Sequence, residues 1–377
     1  MESILIVGDF FPVPSNFIRF QEADVSYLLD KRLNELFHRA SYRICNLEGA
    51  LTDRPGRCEK TGPSLYAPTS VINAYKKLGI NCCTLANNHI TDAGEEGVRD
   101  TLSVLEDAGI SNLGAGYLPE IKRYLFFSVG DRTICLYNVA ETMYNIPTRN
   151  APGAFLYDEY VVCRDLERLK GQSDYIIVIY HGGAEKFRYA SPQTRHRFHR
   201  MVDSGADMIL SQHTHCIGSE EYYKGAYLLY GQGNFLFRSF NNEFTDTGLV
   251  IELSLDDNGV EIKKHIIRAI DDRVEYDENQ DFTSFDERSS HYDDAEYLQK
   301  AFHEYCRKEV TQYLKAYKGK YPFYRFFGRF LPRLRDRYVR RGYTRSQLLL
   351  TLHSLRSEQN REIAIEGIKT LLEDKID

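Results

Sequence analysis

Six short polar clusters, each following a stretch that is predicted to form a β-strand, hold the residues of this chain that could perform chemistry. The strands of an α/β sheet deliver their carboxyl ends to one edge, where such sheets bind ligands. The clusters together offer two carboxylates, up to four histidines and several carboxamides, which is the donor composition of a two-metal hydrolytic site. They are Gly8-Asp9, Asn46-Leu47-Glu48, Asn87-Asn88-His89, His181-Gly182-Gly183, His213-Thr214-His215 and Gly233-Asn234-Phe235.

The strongest single motif is the pair of histidines in His213-Thr214-His215. In an extended segment the side chains of residues i and i+2 lie on the same side, so two imidazoles would point together, as metal ligation needs. Such pairs also arise by chance, and the motif alone does not establish a metal site. His181 follows the apolar run Tyr175–Tyr180, and the two glycines behind it let backbone or ligand approach closely. A hydrogen-bonded core histidine is the alternative there.

The carboxylates and carboxamides have structural alternatives as well. Asp9 ends the first strand, and an aspartate in such a loop is commonly a helix cap or a turn residue. Glu48 closes the second strand, and one carboxylate can bridge two cations. Asn88 offers an amide oxygen and His89 a candidate general acid, although asparagines in loops often bond to backbone. Five of the six clusters contain ionisable residues, and each of the five follows a predicted strand. This joint pattern favours a metal or phosphate site over five unrelated coincidences.

Composition bounds the class of protein. A chain of 377 residues with 42% hydrophobic and 13% aromatic residues can bury a full core, and its net charge of −6 gives no pull toward nucleic acid. We therefore expect no specific nucleic-acid recognition. The eight cysteines show no CxxC pair, which favours free buried thiols in a reducing compartment. No signal peptide or run of about 20 apolar residues is visible, so a cytoplasmic location is predicted.

Alternating β and α elements with a central hairpin predict an α/β fold, built as two packed sheets with helices outside. The hairpin turn is placed at Gly130-Asp131. The predicted strands are Ile4–Val7, Tyr42–Leu47, Asn81–Leu85, Tyr124–Val129, Thr133–Val139, Tyr175–Tyr180, Met208–Leu210, Tyr227–Tyr230, Leu249–Leu255 and Val260–Ile267. The predicted helices are Val25–Phe37, Ser70–Leu78, Gly97–Ala108, Tyr160–Leu169, Pro192–Val202 and Gln347–Leu372.

The composition changes after about residue 270. Residues 271–309 hold 13 acidic and 5 basic residues, whereas residues 315–345 hold 11 basic and 1 acidic residue together with many aromatic ones. We therefore predict a main domain over 1–270 and a helical C-terminal region over 280–377. The basic aromatic stretch 315–345 has two interpretations. It could dock on an anionic membrane or another polyanion, or it could cap the core and pair with the acidic stretch.

Residues 4 to about 268 resemble the poly-γ-glutamate capsule biosynthesis family of the CapA type, which is similar to the calcineurin-like metallophosphoesterases. The resemblance covers about 70% of the chain. It is carried by Val7-Gly8-Asp9, Asn46-Leu47-Glu48-Gly49, Leu85-Ala86-Asn87-Asn88-His89, Asp92-Ala93-Gly94, Gly114-Ala115-Gly116, His181-Gly182-Gly183 with Glu185, His213-Thr214-His215 and Gly233-Asn234-Phe235.

The resemblance implies a four-layer α/β/β/α sandwich and a divalent cofactor, one or two ions of Mn, Fe or Zn. His89 matches the position that protonates the leaving group. Asp9 would bind the first ion, Glu48 would take the bridging position, Asn88 and His181 would bind the second ion, and His213 and His215 would divide between the two. The candidate substrate contacts are Asn46, Lys60, Tyr66, Asn87, Glu185 and Asn234.

Three positions depart from the usual metallophosphoesterase pattern. Phe11 stands where a histidine is usual, Glu48 replaces the bridging aspartate, and Gln212 replaces a glycine before the His-x-His pair. Members of the capsule family also commonly carry a membrane anchor, and none is visible here. The predicted function is a metal-dependent hydrolase of a phosphoester or polymer-related substrate, linked by resemblance to capsule or exopolysaccharide synthesis. The alternative is a non-catalytic accessory or binding protein of the same assembly.

Overall fold

The computed structural model describes residues 2–56, 58, 60, 62–143, 145–237, 240–256, 259–317 and 344–373. A 3₁₀ turn covers Thr69–Val71. The strands are β1 Ser3–Phe10, β2 Tyr42–Asn46, β3 Ala50–Leu51, β4 Tyr66–Ala67, β5 Cys82–Thr84, β6 Ser111–Leu113, β7 Ala115–Gly116, β8 Tyr124–Val129, β9 Arg132–Ala140, β10 Gly153–Ala154, β11 Tyr175–His181, β12 Met208–Gln212, β13 Glu220–Tyr223, β14 Ala226–Leu229, β15 Asn234–Leu236, β16 Thr247–Asp256, β17 Gly259–Ile270 and β18 Arg273–Tyr276. The helices are α1 Phe17–Gln21, α2 Val25–Leu28, α3 Lys31–Arg39, α4 Ile72–Lys77, α5 Gly94–Asp107, α6 Glu159–Leu169, α7 Pro192–Asp203, α8 Glu243–Asp246, α9 Thr283–Ser289, α10 Ala295–Tyr317, α11 Arg345–Arg356 and α12 Glu358–Glu373.

Two large sheets contain most of the strands. Sheet one has the order β18-β17-β16-β1-β2-β5-β6, with β15 paired to β1, and sheet two has the order β13-β14-β12-β11-β9-β8. In sheet one, β1, β2, β5 and β6 run parallel. In sheet two, β9, β11, β12 and β14 run parallel. The parallel strands that precede the polar clusters therefore end at a common edge within each sheet.

The two sheets pack face to face. Ile4 and Ile6 of β1 join Ile177 of β11 in one buried apolar cluster between the sheets. Leu5 and Val7 alternate with them along β1 and belong to a second cluster, which includes the apolar sides of the helices that cover sheet one. This alternation is the period-2 pattern of a strand that is buried on both faces.

A third apolar cluster covers the outer face of sheet two. Val178 of β11 packs there with Val162 of α6 and Phe198 of α7. The layers are thus helices, sheet one, sheet two and helices. The predicted α/β/β/α sandwich is confirmed.

The helix that was predicted over Val25–Phe37 is two helices, α2 and α3, so that prediction is wrong in its continuity. Leu29 between them is extended, with φ −124° and ψ 140°, and it forms a bridge with Val274. Asp30 then caps α3, because its side chain accepts a hydrogen bond from the backbone N–H of Leu33 at 2.8 Å. Helical spacing of apolar residues alone did not reveal this interruption.

The chain forms two compact units, Met1–Cys58 with Ser64–Leu298, and Glu59–Pro63 with Gln299–Asp377. The first unit extends past the predicted boundary at residue 270 because β18 pairs with β17 and Phe285 of α9 joins the inter-sheet core. Most of the basic stretch 315–345 lies outside the described residues, and its docking stays a prediction. None of the helices in the described ranges is long and apolar enough to cross a membrane.

A carboxylate network ties α7 to sheet two. Glu221 accepts hydrogen bonds from Arg195 at 2.7 and 3.2 Å and from Tyr230 at 2.7 Å, and it contacts a ring nitrogen of His199 at 3.1 Å. Burial alone would raise the pKa of Glu221, but these partners outweigh burial and lower that pKa to about 2. The folded chain therefore stabilises the ionised carboxylate of Glu221 relative to the unfolded chain, where the ordinary pKa is 4.5.

We expect Glu221→Gln to lower the free energy of unfolding at pH 7 by about 2 kcal/mol. The folded-state pKa is depressed, so this contribution is complete above pH 4.5 and disappears as the pH falls toward 2. Urea unfolding at several pH values measures it, and the two proteins should converge in acid. The exposed Glu35→Gln serves as the control, with a change within about 0.5 kcal/mol. An equal loss of unfolding free energy at pH 7 and at pH 2 to 3 would contradict the link between stability and the ionisation of Glu221.

Candidate metal centre

The predicted ligand residues come from the strand ends of both sheets. Asp9 lies in β1 and Glu48 follows β2, whereas His181 ends β11 and His213 follows β12. All four are buried. One oxygen or nitrogen each of Glu48, His181 and His213 lie within 4.8 Å of one another, and the same holds for Asp9, Glu48 and His215. The two groups share Glu48, which places this carboxylate in the middle of the cluster.

The carboxylate of Glu48 is the member of the cluster with the fewest hydrogen-bond partners among the described residues. It is fully buried, and neither carboxylate oxygen accepts a hydrogen bond from a described residue. A buried carboxylate without a donor is strongly unfavourable unless a cation compensates it. The donor set of carboxylate, imidazole and amide oxygen suits a divalent ion of the Mn, Fe or Zn type. These residues therefore fit the predicted metal.

Asn88 and His181 present their donor atoms together beside Glu48. Oδ1 of Asn88 lies 2.8 Å from Nε2 of His181, and the same nitrogen lies 3.5 Å from Oε1 of Glu48. Ligand atoms that share one ion at about 2.1 Å are themselves about 3 to 3.5 Å apart. The separation of His181 and Glu48 fits two ligands of a common ion, whereas the shorter contact of His181 with Asn88 is a hydrogen bond that a bound ion would replace.

The electrostatics of the cluster also suit a cation. Burial, followed by the charges of Asp9 and Glu185, raises the pKa of Glu48 well above its ordinary value. Burial likewise raises the pKa of Asp9, although the nearby charge of His215 opposes this. The pKa of His181 is lowered well below its ordinary value by burial and by the neighbouring histidines, so its ring is neutral. A divalent ion would relieve the carboxylates and needs neutral imidazoles.

The His213-Thr214-His215 segment is not extended, and that part of the prediction is wrong. His213 has φ +85° and His215 has φ +51°, in the left-handed region. The two rings still approach, with centroids 5.8 Å apart, and the backbone N–H of His213 donates to Oδ2 of Asp9 at 3.2 Å. Strained backbone of this kind is characteristic of functional sites. The rings meet through a turn and not through strand alternation.

Asn234 sets the tautomer of His215. Its Nδ2 donates to the carbonyl oxygen of Thr245 at 2.9 Å, so its Oδ1 faces Nδ1 of His215 at 2.8 Å. An amide oxygen only accepts, and the proton of His215 therefore lies on Nδ1. Nε2 then keeps the lone pair that a metal requires. Asn234 thus positions His215, and its contact with a substrate stays a prediction.

His89 forms a dyad with Asp92 beside the cluster. Nδ1 of His89 lies 2.6 Å from Oδ2 of Asp92, which also accepts the backbone N–H of Leu65 at 2.7 Å. This contact fixes the orientation of the His89 ring, as a carboxylate partner does for a histidine at a reactive site. Asp92 was noted only as part of a motif, and its position three residues after His89 was the available signal.

Asn46 and Asn87 form a buried network behind the ligand candidates. Nδ2 of Asn46 donates to Oδ1 of Asp9 at 2.8 Å and lies 3.3 Å from Nδ1 of His181. Nδ2 of Asn87 donates to Oδ1 of Asn46 at 3.1 Å, and its own Oδ1 accepts the N–H of His89 at 3.1 Å. Both side chains are almost completely inaccessible. They orient the ligand candidates, and their contact with a substrate stays a prediction.

Asn138 on β9 connects the two sheets, and sequence reasoning missed it. Its Oδ1 accepts the backbone N–H groups of Leu85 at 3.1 Å and Ala86 at 2.8 Å, while its Nδ2 donates to the carbonyl oxygen of Ile179 at 3.1 Å. It therefore holds the loop that carries Asn88 against the strand that carries His181. An asparagine within an apolar strand was the signal that could have revealed this role.

We expect Asn138→Ala to lower the free energy of unfolding by about 1 to 3 kcal/mol, because it leaves the buried N–H of Ala86 without an acceptor, whereas the N–H of Leu85 keeps the carbonyl oxygen of Leu113 at 2.9 Å. Metal affinity should fall as well, since the loop of Asn88 loses its anchor. Urea unfolding and metal titration measure the two effects. Asn150→Ala in an exposed loop is the control. Unchanged stability in Asn138→Ala would contradict the anchoring role.

The other predicted substrate contacts are placed differently. Glu185 is exposed, and the charges of His215 and His213 outweigh partial desolvation to hold its pKa below the ordinary value. It is therefore an ionised carboxylate near the cluster. Tyr66 is 44% exposed in β4. Lys60 belongs to the second compact unit, and its role stays a prediction.

The family model of the bacterial capsule synthesis protein PGA_cap matches residues 3–239, which include every ligand candidate. The chain belongs to this family. Within the PGA_cap fold, two of the three departures noted above, Phe11 and Gln212, have structural explanations. The ring of Phe11 is buried against Gly49, where a β-carbon would approach it to 2.6 Å. Gln212 donates to Gln232 at 2.9 Å and to the backbone of β1 at 3.3 Å, which ties the two sheets together.

Two relatives of the PGA_cap member are each 30% identical to it. The capsule biosynthesis protein CapA of Bacillus anthracis aligns over 205 residues, 52% of this chain and 50% of the relative. The probable polyglutamine synthesis accessory protein of Mycobacterium tuberculosis aligns over 201 residues, 50% of this chain and 51% of the relative. The chain thus spans about half the length of the curated relatives it matches.

Solved structures resemble the PGA_cap member more distantly. A novel phosphatase of Mycoplasma pneumoniae is 15% identical with a TM-score of 0.48, and the match covers 75% of this chain and 98% of that chain. This likeness concerns the backbone alone.

Proposed function

We propose that this PGA_cap family member is a metal-dependent hydrolase of a phosphoester or a related bond, acting in the synthesis or processing of a capsule or another extracellular polymer. The observation that carries the proposal is the buried carboxylate of Glu48, which accepts no hydrogen bond from the residues that the structure describes and lies beside the imidazoles of His181 and His213. The His89–Asp92 dyad beside it supplies a proton donor, which a site for metal storage or structure does not need.

The ligand candidates would hold the metal in two overlapping sets. Glu48 with His181 and His213 forms one set, and Asp9 with Glu48 and His215 forms the other. Asn88 adds its amide oxygen next to His181. When bound, a divalent ion supplies Lewis acidity and lowers the pKa of water.

The protein's own groups would then handle the proton and the orientation. Asp92 keeps a proton on Nδ1 of His89, and Nε2 of the imidazolium can pass its proton to a leaving oxygen. Asn46 and Asn234 fix Asp9 and His215 through hydrogen bonds at 2.8 Å, so no side-chain rotation is needed when substrate arrives. Glu185 would repel anionic groups on one side of the site and thereby favour one orientation of a phosphoester.

An accessory role without catalysis is the second candidate. Phe11 removes one nitrogen ligand from the usual set, and the relative in Mycobacterium tuberculosis carries the word accessory in its name. A site that binds metal and substrate without turnover would keep the ligand cluster but would not use His89 as an acid.

The deciding experiment combines metal analysis with a phosphodiesterase assay. Protein is purified without chelators or a histidine tag, supplied with Mn or Zn, and assayed on bis(4-nitrophenyl) phosphate. We expect at least one ion per chain, and expect both the ion and the hydrolysis to be lost in the double variant His213→Ala/His215→Ala. Metal without hydrolysis would support the accessory role. Absence of metal after Mn or Zn is supplied would refute both.

A further inference from the structure

One face of helix α11 exposes a row of leucine side chains. Leu348, Leu352 and Leu355 are 52, 40 and 51% exposed. Because they are spaced i, i+4 and i+7 on an α-helix, they lie in one stripe along it. We call these three residues the leucine stripe. Large apolar side chains that are grouped on an exposed face indicate a surface that binds another molecule.

The side of α11 that packs within the second compact unit lies away from the leucine stripe. Ser354 is buried there, and its hydroxyl donates to the carbonyl oxygen of Leu350 at 3.0 Å. Ser354 and Leu352 are two residues apart, which on a helix of about 3.6 residues per turn places them on nearly opposite sides. A soluble helix normally buries its leucines and exposes its serines. The reverse arrangement in α11 therefore calls for a partner on the leucine side.

Positive charge flanks the leucine stripe at both ends of the helix. Arg345 and Arg356 are exposed, and α11 contains no aspartate or glutamate. Arg345 lies three residues before Leu348, and Arg356 lies four residues after Leu352. At these spacings the side chains are neighbours on a helix surface. The face thus combines apolar side chains with guanidinium groups, which is the composition of a helix that binds at a lipid interface.

The charge of the whole C-terminal region has the same sign. Residues 299–377 hold 18 basic and 9 acidic residues, a net charge of +9, whereas residues 1–298 hold 30 basic and 45 acidic residues, a net charge of −15. Such an asymmetry within one chain is typical of contact with a charged partner. The partner of the C-terminal region should therefore be anionic. A soluble polyanion would meet this requirement but would leave the leucines in water.

We propose that the leucine stripe of α11 docks on an anionic lipid surface, with the leucines at the boundary of the acyl chains and Arg345 and Arg356 at the headgroups. An interfacial helix of this kind gains affinity from the apolar area that it buries and from attraction to anionic lipids. Both contributions are available on this one face. The proposal concerns the second compact unit and does not depend on the metal centre.

Co-sedimentation of the full chain with lipid vesicles tests this proposal. Vesicles of phosphatidylcholine alone are compared with vesicles that also contain about 30% phosphatidylglycerol. We expect binding to the anionic vesicles to be tighter by about tenfold or more and to weaken as salt is added. Heparin, a soluble polyanion without acyl chains, measures the contribution of charge alone.

The triple variant Leu348→Gln/Leu352→Gln/Leu355→Gln should bind anionic vesicles about 30-fold or more weakly, because the apolar area that enters the lipid is removed. Glutamine has nearly the helix propensity of leucine, and circular dichroism checks that the helix is kept. Binding of heparin and of metal should be unchanged in the variant. Ile18→Gln is the matched control, since Ile18 is 53% exposed on α1 of the first compact unit, and it should change vesicle binding by less than about twofold.

Vesicle binding that the folded triple variant retains would overturn the proposal, since charge alone would then suffice. Failure of the wild type to bind anionic vesicles would overturn it as well. Light scattering without lipid then identifies the alternative, because a wild-type dimer that the triple variant converts to a monomer would assign the stripe to a second copy. Lower stability of the lipid-free variant would instead assign the stripe to packing within the chain.

Discussion

Replacing His89 by asparagine is expected to slow hydrolysis of a phosphodiester with a poor leaving group, such as an alkyl or phenyl ester, by about 10²- to 10⁴-fold. The reason is that the proposed function makes Nε2 of His89 the proton donor, with Nδ1 held by Asp92 at 2.6 Å. With 4-nitrophenolate, which leaves without protonation, the loss should be about tenfold or less. Steady-state rates for the two kinds of ester measure the difference.

The dependence on leaving group separates acid catalysis from a structural effect. Loss of metal or of folding would slow both esters equally, and elemental analysis of His89→Asn checks that its metal is retained. Asp92→Asn should show the same pattern with a smaller loss, because His89 keeps its acid but loses its orientation. His196→Asn, an exposed histidine on α7, is the matched control. Equal slowing of both esters in His89→Asn would rule out a role as general acid.

Glu48→Gln is expected to abolish metal-dependent stabilisation while making the metal-free protein more stable at neutral pH. An ion at a free concentration of 100 times its Kd stabilises the folded chain by about 2.7 kcal/mol. This stabilisation should vanish in the variant. The higher stability of the metal-free variant follows from the raised pKa of Glu48. A group whose pKa is higher in the folded than in the unfolded chain makes the protein less stable as the pH rises. Glutamine removes the buried charge.

Thermal unfolding with Mn or Zn and with a chelator measures both the stabilisation by metal and the stability of the metal-free protein. In the wild type, metal affinity should increase with pH, because metal must displace the proton that burial favours on Glu48. Glu35→Gln is the control, since Glu35 is exposed on α3 and outside both ligand sets. If Glu48→Gln retained wild-type stabilisation by metal, Glu48 would not be a ligand.

The sandwich and the set of polar clusters could be predicted from sequence because both rest on local patterns. Apolar runs such as Tyr175–Tyr180 indicate buried parallel strands, and parallel strands share an edge at which their following residues meet. The interruption at Leu29 could not be predicted, since it depends on a bridge to Val274, which lies far away in sequence. The boundary at Leu298 likewise depends on long-range packing, because Tyr292 and Leu298 join the apolar cluster on the outer face of sheet two.

The candidate site was predictable in its members and not in its geometry. Local sequence placed His213 and His215 together, but the left-handed backbone that joins them is sterically unfavourable for histidine and has no composition signal. Asn138 has the same limitation, because its role lies in contacts with Leu85, Ala86 and Ile179 from other strands. Residues that position a site through tertiary contacts are the hardest to read from one sequence.

The distribution of ligand candidates over both sheets has a consequence for the order of events during synthesis. Asp9, Glu48 and Asn88 leave the ribosome well before His213 and His215, and at 5 to 20 residues per second this interval is about 6 to 25 s. The nascent chain therefore exposes half of a binding cluster that has no partner half. If the site binds a metal as proposed, its complete ligand set exists only after both sheets have assembled.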